Sequence, residues 1–165
     1  MIFNIFIFNK SGTCIYYEEW NRKKASPNLQ EEQKLLFGML YSLKSCLSKL
    51  SPSPYVYLIF TLLLHYIINP QSNSMDPQTG FHCLTTSTYK LHFYETLSCV
   101  KFIVLTDPKT PDLREDLKKI YNSAFVEYVI KNPLYQLNSV IKCELFITQL
   151  NQIIKAIPYF NNQEK

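Results

Sequence analysis

The side chains best suited to chemistry are the thiols and imidazoles. The cysteines are Cys14, Cys46, Cys83, Cys99 and Cys143, and the histidines are His65, His82 and His92. No two cysteines have the C-x-x-C spacing of a zinc or redox site, and the histidines form no H-E-x-x-H pair. The spacing predicts reduced thiols in a cytosolic protein and no metal site. His82 and His92 fall in predicted strands and are interpreted as polar residues on the sheet surface.

Other arrangements that support catalysis are missing from the sequence. The chain has 3 glycines, so it contains neither a G-x-G-x-x-G loop nor a P-loop, and no G-x-S-x-G elbow is present. Glu18 and Glu19 are adjacent in a predicted strand and point to opposite faces, so they cannot act as a pair. Asp107 lies in a turn that ends a strand. We therefore predict a protein that is not an enzyme and uses no cofactor, although a cysteine paired with a distant histidine stays open.

Composition favours one globular domain. The 165 residues are 47% hydrophobic and 15% aromatic, which is enough to form a core. The net charge of +4 is mild, and Arg22-Lys23-Lys24 is the basic cluster. A nucleic-acid partner is not expected, because it calls for a longer basic stripe. The cluster is either a solvated loop or a contact for an acidic partner or a membrane surface. Residues 161–165 are predicted to be a flexible tail.

Five segments have strand patterns. They are Ile2–Phe8, Thr13–Trp20, Phe81–Ser87, Tyr89–Glu95 and Val100–Thr106. The first is apolar on both faces, as in a central strand covered on two sides. Gly12 supplies the turn of the first hairpin. In Tyr89–Glu95 apolar and polar residues alternate, which is typical of a strand with one covered face.

Three helices complete the pattern. The first begins at Ser26-Pro27, or at Asn28 with Glu31 in a capping box, and ends near Pro52. The second begins at Thr110-Pro111-Asp112 and ends at Lys131-Asn132-Pro133. The last begins at Asn138, has Leu145 on its apolar face, and ends at Pro158. The order ββαβββαα predicts an α+β fold with one sheet and helices on its faces.

Several motifs in this order closely resemble the sybindin-like family of the TRAPP vesicle-tethering complex, and its smallest subunit in particular. The motifs are Trp20–Lys24, Phe37–Leu43, Ser87–Thr96, Leu105–Asp107 and Tyr121–Pro133. The resemblance implies a longin, or SNARE-like, fold, in which a five-stranded antiparallel sheet has one helix on one face and two on the other. Residues 1–160 then form a single longin-like domain.

The resemblance also implies a function. The family's small subunits assemble into a heteromeric core that drives nucleotide exchange on a Rab/Ypt GTPase in ER-to-Golgi transport. A cytoplasmic protein is expected, peripheral at the cis-Golgi and endoplasmic reticulum, with membrane association only through the complex. Residues that match the family motifs and are expected at partner surfaces are Tyr17, Trp20, Arg22, Lys23, Lys24, Tyr128, Lys131, Asn132 and Pro133. Trp20 is alternatively a core residue. A longin-type subunit of another trafficking complex, such as a clathrin-adaptor small chain, is the alternative function.

Two features depart from the family pattern. Residues 53–74 form an apolar insertion, in which Tyr55–Ile68 is shorter than the roughly 20 residues that span a membrane. The insertion is interpreted either as a retained intron in the gene sequence or as a membrane anchor. Cys99 stands where the family's turn favours glycine. If that position needs a positive φ, the cysteine there is strained.

Overall fold

The computed structural model describes residues 1–22, 27–50 and 82–160. The strands are β1 (Ile2–Phe8), β2 (Cys14–Glu19), β3 (Cys83–Thr85), β4 (Lys90–Glu95) and β5 (Lys101–Thr106). The helices are α1 (Leu29–Leu50), α2 (Arg114–Ile120), a π-helical segment (Tyr121–Ile130) that continues α2 directly, and α3 (Glu144–Ala156). The insertion 53–74, the tail 161–165, Lys23, Lys24 and Ser26 lie outside the described residues.

The five strands form one antiparallel sheet in the order β2-β1-β5-β4-β3. β1 lies next to the centre and pairs with β5 from Ile2↔Thr106 to Phe8↔Lys101. The α+β class and the element order ββαβββαα predicted from the sequence are confirmed.

Alternation along β1 divides the core into two layers. Phe6 and Phe8 belong to the cluster that includes Leu40 of α1. Ile5 and Ile7 point to the other face, in the cluster that contains α2, the π-helical segment and α3. Successive side chains of a strand point to opposite faces, so β1 is buried on both sides, as predicted. One helix covers one face and two helical units cover the other.

Local turn chemistry fixes the first hairpin and the start of α1. Gly12 has a φ of +86°, and a Cβ added there would lie 2.5 Å from Cε1 of Phe37. The turn therefore needs glycine both for its backbone and for space. Of the two predicted starts of α1, the Asn28 capping arrangement is confirmed, because Asn28 Oδ1 accepts the Glu31 N–H at 3.3 Å.

The hairpin between β4 and β5 turns at Cys99, which has a φ of +62°. Its N–H donates to the Thr96 carbonyl at 2.9 Å, and the Thr96 N–H donates to the Val100 carbonyl at 2.9 Å. Position 99 therefore has the positive φ that the sequence analysis stated as a condition. A residue with a Cβ is held there in the left-handed region, which costs about 1–2 kcal/mol.

Two predicted helix starts were wrong. Thr110 does not cap α2, which begins at Arg114; its buried hydroxyl has no hydrogen-bond partner in the described structure. Asp112 accepts the Arg114 N–H at 3.2 Å instead. Asn138 does not begin α3, because it has a φ of +67° and lies in a turn ahead of the helix at Glu144. Asparagine enters the left-handed region at little cost, so it forms turns as readily as caps.

Candidate interaction surfaces

Two of the residues predicted at partner surfaces, Tyr17 and Arg22, form a network at the end of β2. The Tyr17 hydroxyl donates to the carboxylate of Glu19. The Arg22 guanidinium donates a hydrogen bond to Glu32 of α1 at 3.0 Å, and its second terminal nitrogen lies 3.0 Å from the other carboxylate oxygen without a hydrogen bond. The hydrogen bond to Glu32 raises the pKa of Arg22, while burial and the contact with Glu19 raise that of Tyr17. The network ties β2 to α1.

Trp20 connects β2 to α3. Its Nε1–H donates to Asn151 Oδ1 at 2.7 Å, and Asn151 Nδ2 donates to Glu18 at 2.8 Å. The indole also makes an edge-to-face contact with Phe160, with ring centroids 6.3 Å apart. The half-buried ring packs against the core cluster. The structure thus gives Trp20 the core-packing role that the sequence offered as one of two alternatives.

The second predicted group lies at the end of the π-helical segment. Tyr128 is half-buried against the core, and Lys131 pairs with Glu127 at 2.6 Å. Asn132 Oδ1 accepts the Leu134 N–H at 3.0 Å, in the kind of local turn that ends a helix. Lys131 and Pro133 are exposed. These residues are close together in the chain and distant in sequence from the β2 group, and partner contacts for both groups stay a prediction.

An exposed apolar surface follows directly in the chain, and the sequence reasoning missed it. Its members lie between the end of the π-helical segment and the first turn of α3, and we call them the connection surface: Ile130, Leu134, Leu137, Val140 and Leu145. Leu134 is 89% exposed and Leu137 80%. Leu145, predicted on the core face of the last helix, is 65% exposed, which corrects that prediction. Exposed apolar residues gathered in one segment are typical of protein contacts.

His82 and His92 are buried, although the sequence predicted that both lie on the sheet surface. His92 is fully buried: its Nδ1 accepts the Leu113 N–H at 3.3 Å and its Nε2 lies 3.0 Å from the Thr106 hydroxyl. Acceptance at Nδ1 assigns the proton of the neutral ring to Nε2. His82 is also buried, with Nε2 3.6 Å from the Asp112 carboxylate. The prediction failed because the partners of His92 are distant in the sequence.

This cluster ties the sheet to the start of α2. Burial lowers the pKa of His92, which keeps the imidazole neutral at pH 7. Burial likewise raises the pKa of the nearby Cys83 thiol and keeps it protonated, which makes it a poor nucleophile. The Thr106 hydroxyl donates to backbone carbonyls rather than to the ring. The arrangement is therefore suited to holding the two elements together.

The described residues were also compared with the requirements of a metal site and of a membrane-spanning helix. Within residues 1–22, 27–50 and 82–160, no group of three or more His, Cys, Asp or Glu side chains is placed to hold a metal ion. In the same ranges, no helix combines the length and apolar character needed to cross a bilayer.

Comparison with known proteins identifies the family. The model of the sybindin-like family matches residues 2–157. The chain belongs to the sybindin-like family. Trafficking protein particle complex subunit 1 of Dictyostelium discoideum is 56% identical over 162 residues, covering 98% of this chain and all of the relative. The human subunit of the same name is 35% identical over 97% of this chain and 96% of its own length.

A different subunit of the same complex is also similar. Trafficking protein particle complex subunit 4 of Dictyostelium discoideum is 30% identical over 92% of this sybindin-like chain and 94% of its own length. The resemblance to sybindin-like TRAPP subunits predicted from the motifs is thus confirmed, and the identities to subunit 1 are the higher ones.

Proposed function

We propose that this chain is a non-catalytic structural subunit of a TRAPP complex. In this role it acts in ER-to-Golgi vesicle tethering and contributes to the surface that drives nucleotide exchange on a Rab/Ypt GTPase. The observation that carries the proposal is the end-to-end match to a relative named as TRAPP subunit 1, at 56% identity. Its partners are the other small subunits, and it reaches the cytoplasmic side of the cis-Golgi and endoplasmic reticulum through the complex.

The geometry supports a role in assembly. The connection surface exposes leucine, isoleucine and valine side chains, from 51% exposed at Ile130 to 89% at Leu134. Burying such side chains contributes about 25 cal/mol per Å² of apolar area. Leu134 and Leu137 lie next to the exposed Lys131 and Pro133 in the chain, so a charged residue borders these apolar side chains in sequence. This surface is proposed to face another subunit.

Nucleotide-exchange activity is expected of the assembled complex and not of the isolated chain. We expect the chain alone to leave GDP release from the Rab/Ypt GTPase at its intrinsic rate, and the reconstituted small-subunit core to accelerate it. Fluorescent GDP displacement measures both rates. If the isolated chain stimulates release, its role as a purely structural subunit is refuted. If the core without this chain is fully active, the chain contributes nothing to the exchange surface.

Assembly is tested with a matched pair of leucine variants. Leu137→Asp in the connection surface is expected to reduce co-purification with the other small subunits at least tenfold. Leu97→Asp is the control, because Leu97 is fully exposed at the tip of the β4–β5 hairpin, away from the connection surface in sequence. Both variants should keep the melting temperature of the wild type. Equal co-purification of the two variants would show that the connection surface does not face a subunit.

A further inference from the structure

The hydrogen bonds of His92 leave one atom at which its ring can take up a further proton. Nε2–H of the neutral ring donates to the Thr106 hydroxyl oxygen at 3.0 Å, since that hydroxyl itself donates to backbone carbonyls. Nδ1 accepts the Leu113 N–H at 3.3 Å. A second ring proton must therefore add to Nδ1, which is the atom that holds Leu113.

Leu113 is the residue at which α2 is joined to the sheet. It is the N-cap of α2, and its carbonyl accepts the Leu117 N–H at 2.8 Å. Its side chain is buried in the core, and the His92 ring that holds its N–H is fully buried on β4. One further bond ties the same connection to β4, from Lys90 Nζ to the Thr110 carbonyl at 2.8 Å. The imidazole therefore fixes the first residue of the helix, and Lys90 fixes the chain ahead of it.

Asp112 provides an alternative acceptor for the ring once it is protonated. Its Oδ1 lies 3.8 Å from Nδ1 of His92, and its Oδ2 lies 3.6 Å from Nε2 of His82. A movement of about 1 Å brings Nδ1 and Oδ1 to hydrogen-bond distance. The carboxylate is 35% exposed, whereas the ring of His92 is not exposed, so a proton from solvent reaches the ring from the side of Asp112.

Charged and titratable groups surround the ring on several elements. They are Lys90 of β4, His82 and Cys83 at the start of β3, and Asp112 and Asp116 at the start of α2, with the neutral Thr106 hydroxyl on β5. Lys90 and His82 oppose a positive charge on the ring, whereas Asp112 favours it. The balance of these charges and of burial keeps the ring neutral at pH 7 and leaves one carboxylate beside Nδ1.

We propose that His92 is a proton-sensitive switch that releases the start of α2 from β4 on acidification. A proton from solvent adds to the lone pair of Nδ1. The bond from the Leu113 N–H then breaks, because two N–H groups face each other, and the new Nδ1–H donates to the Asp112 carboxylate. Lys90 still holds the Thr110 carbonyl, so the opening is confined to the start of the helix. The switch goes beyond the proposed function and does not depend on TRAPP membership.

Amide hydrogen exchange of the full-length chain between pH 7.5 and pH 5.0 tests the switch. Each exchange rate is divided by the intrinsic chemical rate at the same pH, which gives a protection factor. The protection factor of the Leu113 amide is expected to fall about tenfold more than those of the β1 amides over this range. The ring nitrogens of His92, followed by NMR in the same samples, should show protonation at Nδ1 with the same midpoint.

Three variants separate the sensor from its neighbours. His92→Asn places an amide oxygen near the position of Nδ1 but does not titrate, so the protection of Leu113 should no longer depend on pH. Asp112→Asn removes the negative charge that favours the protonated ring, so the midpoint should move to lower pH. His82→Gln is the matched control, because it removes the second imidazole beside Asp112 and should keep the loss of protection at Leu113.

Several outcomes would overturn the proposal. Constant protection of Leu113 down to pH 5.0 in the wild type shows that no switch operates, and an equal fall at Leu113 and in β1 shows opening of the whole domain instead. A pH dependence that persists in His92→Asn, or disappears in His82→Gln, assigns the effect to another group. If His92→Asn does not fold, an unchanged midpoint in Asp112→Asn still refutes the exchange of hydrogen-bond partners. All of these measurements use the chain without other subunits, so a failure of the proposed function leaves them unaffected.

Discussion

Replacing Cys99 by glycine should stabilise the protein. The cysteine has a φ of +62° at the β4–β5 turn, and a side chain in this region costs about 1–2 kcal/mol. Glycine removes that strain, but the larger conformational entropy of the unfolded chain lowers the free energy of unfolding by about 0.4–1 kcal/mol. The turn hydrogen bond from the Cys99 N–H to Thr96 uses backbone atoms and is retained. We expect a net gain of about 0.5–1 kcal/mol, or about 1–4 °C in melting temperature for a domain of this size.

Chemical denaturation of Cys99→Gly at pH 7 under reducing conditions measures the gain. Ser98→Gly is the matched control, because Ser98 lies in the same turn and is not among the residues with positive φ. It should lower stability by about 1–2 kcal/mol, since it has the entropic cost without the relief of strain and also removes the Ser98 hydroxyl, which is hydrogen-bonded to the Thr96 hydroxyl at 2.9 Å. If both substitutions lower stability equally, the reasoning about position 99 is refuted.

Three further predictions follow from the contacts described above. Gly12→Ala should lower the free energy of unfolding by about 2 kcal/mol, because the new methyl group meets Phe37 and the backbone is left-handed; an unchanged denaturation midpoint would contradict this. Trp20→Phe should cost about 1 kcal/mol by removing the hydrogen bond to Asn151, and an unchanged midpoint in the same measurement would show that bond to be dispensable. Acidification from pH 7.5 to 5.5 should lower the free energy of unfolding, because His92 protonates near pH 6.5 in the unfolded state and at a lower pH in the folded state, so the unfolded state binds more protons. His92→Gln should make the free energy of unfolding, measured by urea titration, depend less on pH. An equal dependence on pH in the variant and the wild type would refute the assignment of this effect to His92.

The strands were predictable because their signals are local. The apolar run of β1 and the turn at Gly12 placed β1 and β2 within a residue or two of their observed bounds. The buried pattern of β1 predicted its place near the centre of the sheet. The helix starts at Thr110 and Asn138 were wrong because the same residue types serve caps and turns, and only the surrounding structure selects between them.

The interaction surfaces were less predictable. The residue type alone does not show whether a leucine such as Leu134 or Leu145 is buried or exposed. Its exposure depends on where the chain turns before α3. The π-helical segment Tyr121–Ile130 also had no signal in the sequence, since its apolar residues fit an ordinary helix.

The uneven covering of the sheet has a consequence for local unfolding. Among the side chains described for α1, Leu40 is the one that is fully buried, whereas α3 buries Phe146, Leu150 and Ile154. Segments with few buried apolar contacts open at a lower free energy than the whole domain. Backbone amides of α1 should therefore exchange hydrogen with solvent faster than those of α3 in the isolated chain. A subunit that docks on α1 would slow this exchange, so amide exchange would report a contact on that helix.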